Sequence, residues 1–226
     1  MVEIIEPIAT HPPFNDLIPL LQRLDLRLEY AVAAAEATYG KSAATDPYRG
    51  LHIHTEDAHR SLSNASGIPL FHPDAETELP ADFVPANSRL ARLQQQFELS
   101  DFDLDTIAIA LAPELDRRYD RLYAYLQDDV RCQRPSIDLA LNLLCSSAAE
   151  KLARRIHFAP EAPLIRHHLL HLIADTQPGK PTLLAHELHL DAQIVRFLLA
   201  QPGLDPQLHP FCQLLQPDVA LTQLPL

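Results

Sequence analysis

Glycine is scarce, with five residues in a chain of 226. That argues against glycine-rich nucleotide loops and against β-rich folds with many tight turns. Cysteine is scarce too. Cys132, Cys145 and Cys212 are odd in number and widely spaced, so they form neither a disulfide framework nor a CxxC zinc pair. A reducing setting is the simplest reading, and the protein is expected to be cytoplasmic. Positive charge is in deficit, with 18 Lys+Arg against 30 Asp+Glu and a net charge of -12. This balance argues against avid, nonspecific binding to nucleic acid or to an anionic membrane. No apolar run reaches the roughly 20 residues that span a bilayer. Met1 to Thr10 carries Glu3 and Glu6 and no basic stretch, which is not the pattern of a signal peptide.

What is present is a globular composition. Hydrophobic residues make up 47%, enough for a proper core, and charged residues 21%, too few for a wholly disordered chain. The length predicts one large domain, or one domain with a substantial extension. Charge is uneven along the chain. Residues 1–116 carry a net -12, residues 117–166 a net +3 and residues 167–226 a net -3.

Apolar periodicity predicts helices. Leu17, Leu21, Leu24, Leu28, Val32 and Ala35 recur at steps of three and four, with Asn15 as N-cap and Gly40 as the stop. A shorter helix is expected from Thr55, carrying Ala58 and Leu62 inward. Pro69, Pro73, Pro80 and Pro85 forbid a long regular element over residues 64–87. Leu90, Leu93 and Phe97 then share a face. Ser100 and Asp103 form a capping-box variant, with Leu99 and Leu104 placed as a hydrophobic staple. Leu104, Ile107 and Leu111 continue inward. Pro113 is expected to open a new helix with the stripe Leu115, Tyr119, Leu122 and Leu126. Pro135 and Ser136 open another, burying Ile137, Leu141 and Leu144.

The last third changes character. Leu164 to Leu170 reads as helical, and Leu172 to Asp175 is short and apolar. Residues 177–181 form a turn, and Thr182–Leu184 and Leu188–Leu190 alternate or run apolar. Together they predict a β-hairpin. Asp191 caps a final helix with Ile194, Val195, Leu198 and Leu199, and Gly203 lies past its end. The fold class is therefore mainly α (α+β): a helical N-terminal part (1–64), a Pro-rich linker or irregular cover (65–87) and a winged-helix-like domain with a small hairpin (88–226).

Chemical motifs are weak. Gly40-Lys41-Ser42 ends like a P-loop, but Ala35 stands where that loop needs its first glycine, and a helix precedes it. No ATP site is expected in this chain. His167 and His171 on a helix, with His186 and His189 on a strand, are a zinc option, yet HExxH is absent and surface histidines explain the pattern better. Glu56-Asp57 and Asp128-Asp129 are adjacent acids, and neighbours on a helix point about 100° apart, so they need not share a site. Ser146 and Ser147 lack a GxSxG elbow. Cys145 reads as a core thiol. No catalytic, cofactor or metal residue is assigned. A winged helix with a basic recognition helix would be a DNA-binding regulator, but the helix after Pro135 has no Arg or Lys until Lys151.

Longer stretches carry a resemblance. Phe97-Glu98-Leu99-Ser100-Asp101-Phe102, Leu111-Ala112-Pro113-Glu114-Leu115-Asp116 and Leu122-Tyr123-Ala124-Tyr125-Leu126-Gln127-Asp128-Asp129 form one signature. Arg134-Pro135-Ser136-Ile137-Asp138-Leu139-Ala140-Leu141 and Leu188-His189-Leu190-Asp191-Ala192-Gln193-Ile194-Val195 continue it, and Asp46-Pro47-Tyr48-Arg49-Gly50-Leu51 resembles its beginning. Together they resemble the N-terminal region of a family of bacterial AAA+ ATPases, some encoded with contractile injection systems. The resemblance implies a helical and winged-helix-like region placed before an ATPase core. That core, with its ATP and Mg, is expected beyond Leu226. This chain itself is then non-catalytic and cofactor-free, and it docks a protein substrate or assembly partner for the ATPase core of its own parent. Nucleic acid and membrane are not expected as partners. Tyr125, which lies off the inward stripe, and Arg117, Arg118 and Arg121, which face outward, are the expected partner-binding residues.

Overall fold

The structure is a computed structural model, and it describes residues 13–43, 55–63, 65–71, 84–174, 181–203 and 210–212. Helix α1 (Pro13–Ala43) buries Leu17, Leu20, Leu21, Leu24, Leu28, Ala31 and Ala35 on one side. Each leucine so buried contributes about 2 kcal/mol. Two expected boundaries shift. Asn15 lies inside the first turn, and α1 runs through Gly40 to Ala43. Glycine weakens a helix interior by about 1 kcal/mol, which alone does not end a 31-residue helix anchored by such a stripe. Gly40-Lys41-Ser42 is thus helical and forms no phosphate loop.

Helix α2 (Thr55–Ser63) forms where expected, but Ala58 and Leu62 are not inward: both are exposed, Leu62 at 82%. Residues 65–71 and 84–88 hold no regular helix or strand, while Pro73 and Pro80 lie outside the described residues. Phe71 nevertheless reaches the core, and the Leu70 amide donates to Asn142 Oδ1 at 3.1 Å.

Helix α3 (Arg89–Phe97) buries Leu90 and Leu93 and is N-capped by Ser88. Helix α4 (Asp101–Leu115) opens with the full capping box: Ser100 Oγ accepts from the Asp103 amide, and the Asp103 carboxylate accepts from the Ser100 amide. Leu99 and Leu104 are both buried beside it. Pro113 does not open a new helix. It sits in the last turn of α4, and the next helix, α5 (Arg118–Leu126), starts after a break at Asp116 and Arg117. Proline in a helix interior leaves the carbonyl four residues back without its donor. Here that carbonyl is Ile109 O, and the buried Tyr123 hydroxyl donates to it at 2.9 Å. The tertiary contact replaces the lost backbone bond, so α4 continues through its proline. Tyr119, Tyr123 and Leu126 form the buried face of α5, with Leu115 and Leu122 half-buried.

Helix α6 (Ile137–Leu144) is capped by Ser136, and α7 (Ala148–Arg154) by Ser147. A 3-10 turn (Arg155–Phe158) and a short helix α8 (Pro163–Arg166) follow. The helix read over Leu164 to Leu170 ends early, because His168 takes a left-handed conformation (φ 55°) and Leu170 begins a strand. Strand β1 (Leu170–Ile173) pairs antiparallel with β2 (Glu187–Leu190), Leu170 opposite Leu190 and His171 opposite His189. Leu183–Ala185 is a 3-10 turn rather than strand, and most of the expected 177–181 turn lies outside the described residues. The hairpin is tied to α6, since Leu188 N donates to Pro135 O and Ile137 N to His186 O. Asp191 caps α9 (Ala192–Leu198), which ends at Ala200 (φ 55°) before Gly203 is reached.

Among the described residues the architecture is mainly helical with one two-stranded antiparallel sheet, as the sequence predicts. The leucine stripe of α1, the buried faces of α3 to α6, and Leu170, Leu188 and Leu198 share one hydrophobic core. Residues on either side of the 65–87 segment therefore pack together.

A candidate docking cleft on helix α5

Arg117, Arg121 and Tyr125 recur at steps of four, which places them in one row along α5. The opposite wall is the loop 127–134. Its shape comes from Gln127, whose side-chain amide donates to Cys132 O and Arg134 O, both at 2.9 Å, and whose Oε1 accepts from the Ser136 amide at 3.0 Å. Asp128 turns the chain there in a left-handed conformation (φ 51°). A cleft of about 330 Å³ runs between these walls, lined by residues including Arg121, Ala124, Tyr125 and Val130. A second cleft of about 450 Å³ adjoins it through shared Asp120 and Gln133, and Arg117, Arg131 and Arg134 line it.

The charges in this cleft are ordered. Arg131 donates to both oxygens of Asp129, and that hydrogen bonding outweighs burial to hold the Asp129 carboxyl below the usual carboxylate range. Arg134 pairs with Glu114 at 2.6 Å, and Arg117 with Asp120 at 3.1 Å. Arg121 is exposed, Tyr125 is half-buried and Val130 is 49% exposed at the rim. The cleft thus presents an arginine, a tyrosine and an aliphatic side chain side by side.

Arg118 points elsewhere. Its guanidinium lies over the Tyr119 ring at 4.7 Å and donates to Asp25 Oδ2 of α1 at 2.7 Å. Tyr119 also donates to Asp25 Oδ1, and burial pushes its hydroxyl pKa up to about 12. Of the four expected binding residues, Arg121 and Tyr125 line the first cleft and Arg117 the adjoining one, while Arg118 clamps α5 to α1.

The histidines are dispersed. His167 and His171 do not share a helix: His167 follows α8 with its ring tilted against Phe97, and His171 is on β1 with Nε2 3.0 Å from Asp191 Oδ2. His189 contacts Glu187 and His186 contacts Thr182 O. Among the described residues, no group of three or more His, Cys, Asp or Glu is placed to hold a metal ion. Cys145 is buried, and desolvation pushes its thiol pKa up to about 11, as suits a core thiol. No helix among the described residues is long and apolar enough to cross a membrane.

Sequence reasoning missed one surface. Leu152 of α7 is 70% exposed and Ile156 of the 3-10 turn is 71% exposed. Their spacing resembles an inward stripe, so periodicity alone reads them as core. The only available signal is the company they keep, because Lys151, Arg154 and Arg155 interleave with them.

The chain matches the family model described as winged helix domain, variant, over residues 19–212. No curated protein and no solved structure matches it. The match spans α1 through α9, including the hairpin and the cleft, so the chain belongs to the variant winged helix domain family.

Proposed function

We propose that the chain is a non-catalytic docking module, the N-terminal region of an AAA+ ATPase of the kind encoded with contractile injection systems. Its task in that reading is to hold a protein substrate or assembly partner for the ATPase core. ATP and Mg would act in that core, outside residues 1–226. The motif resemblance supplies the parent class, and the winged-helix fold agrees with it. The observation that carries docking is the α5 cleft, where Arg121, Tyr125 and Val130 line one opening. Arginine and tyrosine in a desolvated pocket are the side chains that dominate protein interfaces.

The coding sequence downstream of Leu226 tests the parent class. A Walker motif there supports the reading, and its absence overturns it. A DNA-binding regulator ranks second. Helix α6, the one after Pro135, offers no Arg or Lys, where a groove reader would present donors to phosphates and base edges. A tight low-salt gel shift with duplex DNA would reverse this ranking.

A further inference from the structure

The backbone of the hairpin is satisfied on one side only. Leu188 N donates to Pro135 O and Ile137 N to His186 O, so the outer edge of β2 is covered by the entry to α6. Leu188 thus turns its amide away from β1, and Leu172, opposite it in the ladder, turns its own away from β2. This orientation alternates along an antiparallel ladder. Leu170 and Leu172 therefore aim N–H and C=O at the outer edge of β1, and Ala174 continues the series. Asp191 N, which donates to Leu169 O, fixes the same parity from the other end. The sheet has two strands, and among the described residues no backbone group bonds to this outer edge.

The edge is also unguarded. Proteins blunt such edges with charge, proline or a bulge. Residues 170–174 read Leu-His-Leu-Ile-Ala and contain no Lys, Arg, Asp, Glu or Pro. The side chains of Leu170 and Leu172 pack toward the core, Leu170 at 1% exposure. On the opposite face Ile173 is 45% exposed.

We infer that this edge pairs with the same edge of a second copy of the chain, antiparallel and centred on Ile173. Leu170 is buried too deeply to take a strand beside it, which leaves Leu172 and Ala174 as the bonding residues. Leu172 meets the partner's Ala174, and Ala174 meets the partner's Leu172. The arrangement is two-fold symmetric, and each pair exchanges both of its hydrogen bonds. Ile173 then stands directly opposite the partner's Ile173 in the closely spaced kind of pair, so two exposed aliphatic side chains cover each other. A second copy suits the edge because the bonding groups are self-complementary in this register and no like charges within residues 170–174 meet. The proposal stands whether or not an ATPase core follows Leu226, and it does not use the α5 cleft.

Sedimentation of the full chain over a range of concentrations reads the association, and a reversible monomer–dimer equilibrium is expected. Ala174→Pro removes an outward N–H and no bond of the hairpin itself. It should abolish the dimer while the secondary structure read by circular dichroism stays intact. Ile173→Cys in a Cys212→Ser background should give a disulfide-linked dimer with oxidised glutathione, because residues paired in that way lie about 4.5 Å apart, within disulfide reach. Glu187→Cys, one strand further from the axis, should not. A monomer at every concentration, a dimer indifferent to Ala174→Pro, or equal cross-linking at 173 and 187 overturns the proposal. A monomer that instead binds an extended Leu-Ile peptide, and loses it on Ala174→Pro, would assign the edge to another protein's strand and overturn the second copy.

Discussion

Ala200, Glu98, Asp128 and His168 share an unusual duty. Each takes a left-handed backbone conformation just past a helix, with φ between 51° and 55°. After each, the next residue donates its amide to a carbonyl five positions back: Leu99 to Gln94, Asp129 to Ala124, Leu169 to Leu164 and Gln201 to Arg196. This is the Schellman closure, which usually employs glycine. A chain with five glycines closes four helices without one. A side chain in that conformation costs about 1 kcal/mol. Ala200→Gly should therefore raise stability by about 0.5–1 kcal/mol, read as a higher urea midpoint. An unchanged or lower midpoint would show that the strain is absent. The Pro113–Tyr123 pair permits a sharper experiment. Tyr123→Phe strands the buried Ile109 carbonyl and should cost about 1–3 kcal/mol. Adding Pro113→Ala returns a backbone amide to that carbonyl, so the double variant should recover part of the loss. Strictly additive effects in the cycle would refute the substitution of one donor for the other.

At the scale of elements, polar clamps orient the helices that leucines merely bring together. Asp105 of α4 accepts from Arg23 at 2.8 Å and from Arg27 at 2.7 Å, fixing α1 on α4. All three side chains are mostly buried, so Asp105→Ala leaves two guanidinium groups facing each other without their acid. A loss of about 3 kcal/mol in urea unfolding is expected, and a loss below about 1 kcal/mol would place the pair in the class of surface ion pairs. Asp103 makes a second clamp. Its carboxylate contacts His157 Nδ1 at 2.9 Å and accepts from the Ser100 hydroxyl at 2.7 Å. Burial pushes its pKa up, but the hydrogen bonds from His157 and Ser100 outweigh it, and the net direction is down. A depressed folded pKa contributes stability above the unfolded value of about 3.9, and this is lost as pH falls through the folded value. Between pH 5 and pH 2 the parent chain should therefore lose more stability than Asp103→Asn does. Equal slopes in urea midpoints against pH would exclude the clamp.

For the whole molecule, burial sorts the thiols. Cys145 is enclosed by the core and its thiol resists ionisation, Cys132 is half-buried with its pKa also raised by burial, and Cys212 is exposed. A thiol reagent at pH 8 should label Cys212 first and Cys145 last, with all three reacting quickly in denaturant. Fast labelling of Cys145 in the native protein would contradict the packing of α6 against α1. The charge pattern also acts at this scale. The acidic first part contributes α1, whose Asp25 meets Arg118 of the basic middle, so part of the asymmetry is consumed in folding. On α7 too, basic side chains are committed within the fold, Lys151 to Asp138 at 2.9 Å and Arg154 to Glu150 at 3.4 Å.

Local patterns determined much of this fold by themselves. Ser100 with Asp103, Ser136 and Asp191 announced their caps, because capping depends on side chains only a few residues apart. The leucine stripe of α1 and the hairpin were legible for the same reason, since period and alternation are local properties. The Arg117–Arg121–Tyr125 row was legible as a helical face. What needed tertiary structure was every question about what lies across from a residue. Local rules make Pro113 a helix start, because Tyr123, ten residues on, is invisible to them. Arg118 resembles its neighbours in sequence, yet Asp25 of α1 claims it. Leu62, Leu152 and Ile156 carry the spacing of core residues and lie in water. A stripe records which residues face the same way; whether another element covers that face is decided only by the packing of distant parts of the chain.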